Sequence, residues 1–197
     1  MNTLAALAVF SGLSLNLLLQ FGLGIRETTA ITKGNEPIRS LFLQWLALFL
    51  SVLLIWLFFS YIISPLSLGF FEYFLLFPLT VGVSRVLEEG FNRLFPVLSG
   101  SPKIFSAKSG YDGLILVSLF LTLRLALTVT EAMVLSAGFS LGTILAIFIV
   151  LALHKRSSLE SVPPFLRGLP LLVISVGLLS LIFSFIAAIL LRVVGIF

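Results

Sequence analysis

The chain has 197 residues, of which 59% are hydrophobic and only 10% charged, and it carries a formal net charge of +4 with no cysteine. A soluble domain averages roughly 25% charged residues, so too little polar surface exists to cover a water-soluble globule, and a mean hydropathy of +1.23 places the chain in a bilayer. Twelve basic side chains, most of them in loops, are what membrane topology asks for and need no nucleic acid to explain them, while the lack of Cys excludes disulfides, thiolate clusters and Cys nucleophiles from this chain.

A spanning helix needs about 20 mostly apolar residues. Six stretches qualify in chain order: Leu4–Ile25, Ser40–Ile63, Gly69–Leu87, Gly113–Val129, Met133–His154 and Leu169–Val194. The fourth is the shortest and is interrupted by Arg124. All six are expected to be α-helical, because an open chain in lipid must satisfy its own backbone hydrogen bonds. The first run lacks a basic leader and a small-x-small site, so no classical cleavable signal is expected. The last run is entered through Pro163-Pro164 and Arg167-Gly168-Leu169-Pro170, an interfacial connector that feeds a membrane helix. No soluble domain remains, and residues 1–197 read as a single all-α membrane domain.

Charge placement sets the orientation. Arg26, Lys33 and Arg39 follow span one, Arg93, Lys103 and Lys108 follow span three, and Lys155, Arg156 and Arg167 follow span five. The connectors after spans two and four carry no basic residue. The positive-inside rule therefore puts every other loop in the cytoplasm and both termini on the opposite side; Arg192 opposes this weakly. Three spans per half make the halves, about 1–96 and 97–197, inverted with respect to each other. Each half has a glycine-bearing weak point, Phe21-Gly22-Leu23-Gly24 and Ser109-Gly110-Tyr111-Asp112-Gly113. Such breaks in matching positions point to an inverted-repeat core.

The few polar residues inside spans are candidate sites. Arg124 must face protein or water, and Glu131 and Glu72 are its candidate partners. It reads either as part of an ion path or as half of a structural ion pair near the interface. Asn16 and Gln20 are four apart in span one and point to protein rather than lipid. Gly138, Gly142 and Ala146 form a small-residue stripe that admits a close helix, with Ser136 and Ser140 nearby. Arg85, Glu88, Glu89 and Arg93 read as a solvated helix end, and His154 as a helix-end cation. No phosphate loop, carboxylate pair or Ser/His arrangement is present, so no catalytic residue and no metal ligand set is expected.

With these residues in view, the chain resembles the six-helix membrane subunits of the Rnf/Nqr family, the A and E subunits of Rnf and the D and E subunits of Nqr. The likeness is carried by Val162-Pro-Pro-Phe-Leu-Arg-Gly-Leu-Pro170 with Ile174-Ser-Val-Gly-Leu-Leu-Ser-Leu-Ile-Phe183, by Val86-Leu-Glu-Glu89 leading to Leu94-Phe-Pro96, by Leu135-Ser-Ala-Gly-Phe-Ser-Leu-Gly142 with His154-Lys-Arg156, and by Leu15-Asn-Leu with Phe21-Gly-Leu-Gly24. It implies a multi-pass subunit of a bacterial or archaeal cytoplasmic membrane. It also implies a homologous partner subunit of inverted topology, and a complex that couples electron transport to Na⁺ or H⁺ movement. The family holds a [2Fe-2S] cluster through cysteines whose places here are taken by Gly24 and Ser109, so the resemblance also implies that the cluster is absent. A stand-alone inverted-repeat transporter of an ion or small solute is the alternative.

Overall fold

The computed structural model describes residues 2–23, 38–66, 71–94, 111–157 and 169–193. All regular structure among them is helical. The first predicted span is not one helix. α1 (Asn2–Val9) runs into a turn of π-helix at Phe10–Ser14, breaks at Leu15, and resumes as the short α2 (Leu17–Phe21). The π-turn closes with the Leu15 N–H donating to the Phe10 carbonyl at 2.8 Å. Gly22, at φ 66°, ends α2 in the left-handed region that a side chain would resist.

α3 (Ile38–Phe58) widens into a second π-turn, Phe59–Ile63, and finishes in the 3-10 turn Ser64–Leu66. α4 (Phe71–Leu94) carries Pro78 in its interior and runs seven residues past the apolar stretch predicted to end at Leu87. Leu87-Glu88-Glu89 are good helix formers, so the helix ends later than its hydrophobicity does. α5 (Tyr111–Leu125) is the shortest of the main helices, and a three-residue turn separates it from α6 (Val129–Ser157). α7 (Leu169–Val193) matches the sixth predicted span to within one residue.

Among the described residues, three helical segments are long and apolar enough to cross a bilayer: Trp45–Leu66, Val129–Leu153 and Pro170–Val193. Three shorter apolar stretches, Thr3–Ser14, Phe74–Leu87 and Gly113–Leu125, coincide with parts of the other predicted spans, the first beginning one residue earlier than predicted. α6 is the axle of the bundle. Over half of its membrane window, 56%, is inside the protein, against 28% for α7. It packs against α1, the first π-turn, α2, α3, α5 and α7, while α3 also packs on α4 and α5. Two apolar cores result. Val52, Ile55, Ile115, Leu119 and Phe139 anchor one around α3, α5 and α6, and Leu18, Val150, Val176 and Phe183 anchor the other between α2, α6 and α7.

Candidate functional site

The broken first span organises the centre of the molecule. Asn16, only 1% exposed, is the N-cap of α2 and adopts an extended backbone at φ −60° and ψ 119°. Its Oδ1 accepts from the N–H groups of Leu18 and Leu19, each at 3.2 Å, which satisfies two donors that a helix start leaves open. Its Nδ2 donates to the Gly12 carbonyl at 3.1 Å and across to the Gly142 carbonyl of α6 at 2.6 Å. All the hydrogen-bonding capacity of one buried amide is thereby used. The same side chain stops one helix, starts another and ties both to the axle.

That tie needs contact of backbones. The π-turn lies directly on α6, where a Cβ built on Gly142 would run into the Gly12 carbonyl and one on Gly138 into the Ser11 hydroxyl. The predicted small-residue stripe thus admits the chain's own first span. Beside this crossing an apolar groove of about 380 Å³ opens between α1 and α6. One turn beyond Asn16, Gln20 is exposed and its Nε2 donates to Ser184 Oγ of α7 at 2.9 Å. Asn16 and Gln20 therefore both bond to protein, but to different helices.

The two glycine-bearing weak points approach each other. Leu23, just past the end of α2, places its Cδ2 3.7 Å from where a Cβ on Gly113 would stand, near the start of α5. Gly24 and Ser109 lie outside the described residues, as do Arg26, Lys33, Lys103, Lys108 and Arg167 of the basic loops.

Arg124 and Glu131 are each placed by local chemistry. Arg124, exposed in the last turn of α5, lies 5.6 Å from the centre of the Phe120 ring, a cation–π distance. The Glu131 Oε2 accepts from the N–H groups of Leu127 and Thr128 at 2.8 and 3.2 Å, while Thr128 Oγ1 accepts from the Glu131 N–H at 3.3 Å. This reciprocal pair is a capping box. Its signal, Thr128-x-x-Glu131 before an apolar run, is present in the sequence, beside the candidate pairing of Glu131 or Glu72 with Arg124. Glu72 is the second residue of α4. Arg85, Glu89 and Arg93 are exposed along the same helix.

Most of the buried hydroxyls turn back on their own helices. Thr80, Ser118, Thr122, Ser136, Ser140 and Thr143 each donate to a carbonyl three or four residues earlier. The fully buried Ser51 Oγ of α3 has no hydrogen-bond partner among the described residues. No group of three or more His, Cys, Asp or Glu side chains converges among the described residues.

No family model matches the chain. It is similar to the A subunit of the proton-translocating ferredoxin:NAD(+) oxidoreductase complex of Clostridium ljungdahlii, with 24% identity over 177 residues that cover 90% of this chain and 83% of that protein. This is a distant likeness to one Rnf protein, and it runs through both halves of the chain.

Proposed function

We propose that the chain is a membrane subunit of an ion-translocating electron-transport complex of the Rnf/Nqr type, serving structure or ion passage rather than catalysis. The observation that carries the reading is the near-full-length similarity to the corresponding membrane protein of a ferredoxin:NAD(+) oxidoreductase complex. Its partners on this reading are a homologous membrane subunit of inverted topology and the other subunits of such a complex. Its place is the cytoplasmic membrane, with both termini on the non-cytoplasmic side.

The packing supports six spans in two inverted three-helix repeats of a single domain. Exchanging the halves turns the packing of α1–α2 on α6 into that of α5 on α3, and the packing of α1–α2 on α7 into that of α5 on α4. It turns α3 on α4 into α6 on α7, and it maps α2 on α5 and α3 on α6 onto themselves. The contact between α5 and α6, which a three-residue turn joins, has no such counterpart among the described residues.

The family's [2Fe-2S] cluster does not fit the donors of this chain. Iron–sulfur clusters are held by thiolates, four in the ordinary case, and the chain has no Cys; glycine and serine stand at positions 24 and 109. Electron relay through this subunit is therefore left out of the reading. Iron analysis and low-temperature EPR of the purified complex should show no cluster dependent on this chain, and a stoichiometric signal that survives removal of every other cluster-bearing subunit would refute that.

The functional reading is tested in membrane vesicles from cells lacking the chain. Ferredoxin-dependent NAD⁺ reduction and its coupled ion movement should be lost and restored by complementation. Full activity without the chain, together with ion flux by the purified chain alone in liposomes, would overturn the reading in favour of a stand-alone transporter.

A further inference from the structure

The ends of four helices meet around a second cavity, of about 420 Å³, which lies between α1, the turn joining α5 to α6, and the last turn of α7. That volume falls within the usual range of small-molecule sites. Its walls are mostly apolar. Leu125, Leu127 and Leu191 stand at the helix ends, and the lining continues along the first span from Thr3 to Phe10, roughly 10 Å at the rise of an α-helix. The spanning segment of α6 begins at Val129 and that of α7 ends at Val193, so the cavity sits at one edge of the bilayer with its apolar lining running inward.

One carboxylate, that of Glu131, belongs to this lining. Its Oε2 serves the cap of α6, whereas its Oε1 has no partner among the described residues. Capping needs an acceptor rather than a charge, and a carboxylate against hydrocarbon is costly unless a cation meets it. Arg124 lies over the Phe120 ring instead. Arg124 and Arg192 are both exposed, and they adjoin in sequence the cavity-lining Leu125 and Leu191. One negative and two positive side chains thus accompany an apolar recess. A simple anion is opposed by the carboxylate, and a simple cation by two guanidinium groups. A molecule carrying an ammonium, a phosphate and a hydrocarbon chain matches all three, and a bilayer supplies such molecules at that level.

We propose that this cavity is a binding site for an aminophospholipid. The primary ammonium donates to Glu131 Oε1, the phosphate lies toward Arg124 and Arg192, and an acyl chain follows the first span toward Phe10. The proposal requires only that the chain lies in a bilayer, so it stands or falls separately from the electron-transport reading.

Native mass spectrometry of the delipidated full chain in detergent tests this, with phosphatidylethanolamine and phosphatidylglycerol of identical acyl chains as probes. The wild type should bind phosphatidylethanolamine at least about tenfold more tightly, equal to ~1.4 kcal/mol, and Glu131→Gln should abolish the preference. Glu89→Gln, which removes an equal charge from the exposed surface of α4, should bind as the wild type does. Because Gln keeps the cap, Glu131→Gln should melt with the wild type in lipid-free detergent. Added phosphatidylethanolamine should then raise the melting temperature of the wild type alone. Equal binding of the two lipids by the wild type would overturn the proposal, whatever the variants do. So would a preference that survives Glu131→Gln, or one lost equally in Glu89→Gln. Free phosphoethanolamine binding as tightly as the lipid would also overturn it, since the apolar recess would then have no part.

Discussion

Asn16 concentrates more structural consequence than any other described side chain. It caps α2 with its oxygen and holds the Gly12 and Gly142 carbonyls with its nitrogen. Asn16→Ala loses a helix cap, typically ~1 kcal/mol, and an interhelical bond that averages about 0.6 kcal/mol in membrane proteins. With the void left behind, a destabilisation of about 2–3 kcal/mol is expected. Asn16→Asp should be worse, since a carboxylate keeps the cap but presents negative charge to two carbonyl oxygens. Thermal unfolding in detergent should therefore rank wild type above Ala and Ala above Asp. Gly142→Ala is the companion case. Its new methyl meets the backbone of Gly12, which cannot rotate away, so the π-turn must lift off α6 and the Asn16 bond with it. Gly177→Ala on α7, with nothing within 4 Å, should be neutral or gain about 0.5–1 kcal/mol from helix propensity. Equal effects of the two alanines would contradict the close crossing.

At the level of elements, the start of α6 decides between two meanings of Glu131. As part of a capping box it needs an acceptor, not a charge, and Gln serves as well as Glu in that position. Glu131→Gln should thus preserve stability and coupled ion movement, while Glu131→Ala lowers stability by about 1 kcal/mol. Loss of ion movement in a fully stable Glu131→Gln protein would instead assign the carboxylate to an ion path. The positions of the helices could be read from apolar run lengths, because lipid imposes both hydrophobicity and helix. Where they stop or break could not. α4 continues past Leu87 because glutamates favour helix as leucines do, and the break at Asn16 is fixed by an amide that caps Leu18 and Leu19 locally and also meets the Gly142 carbonyl, which only the folded bundle brings near. The stripe at Gly138 and Gly142 was legible as a close approach, but its occupant was not, since small residues record only how near a neighbour comes.

For the whole molecule, orientation follows from loop charge, which reads directly from sequence because it acts on segments during insertion rather than on packing. Cysteines placed singly at Ser99 or Ser157 should resist impermeant thiol reagents in intact cells, and one at Ser67 should react. Labelling at Ser157 from outside would reverse the assignment. The pairing of halves could be guessed from two glycine-bearing breaks, but the close approach of the end of α2 to the start of α5 needed three dimensions. The two halves, similar in packing, differ in how they are fastened. The first is bolted to the axle by Asn16, whereas Ser118 and Thr122 of α5 give their protons to their own helix. A displacement of α5 along its groove leaves both of those hydroxyl bonds intact, while a displacement of the α1–α2 unit breaks the bond from Asn16 to Gly142. The first half is thus pinned to α6 by a side-chain bond as well as by packing, whereas α5 is held by the apolar contacts of Ile115 and Leu119 in the core.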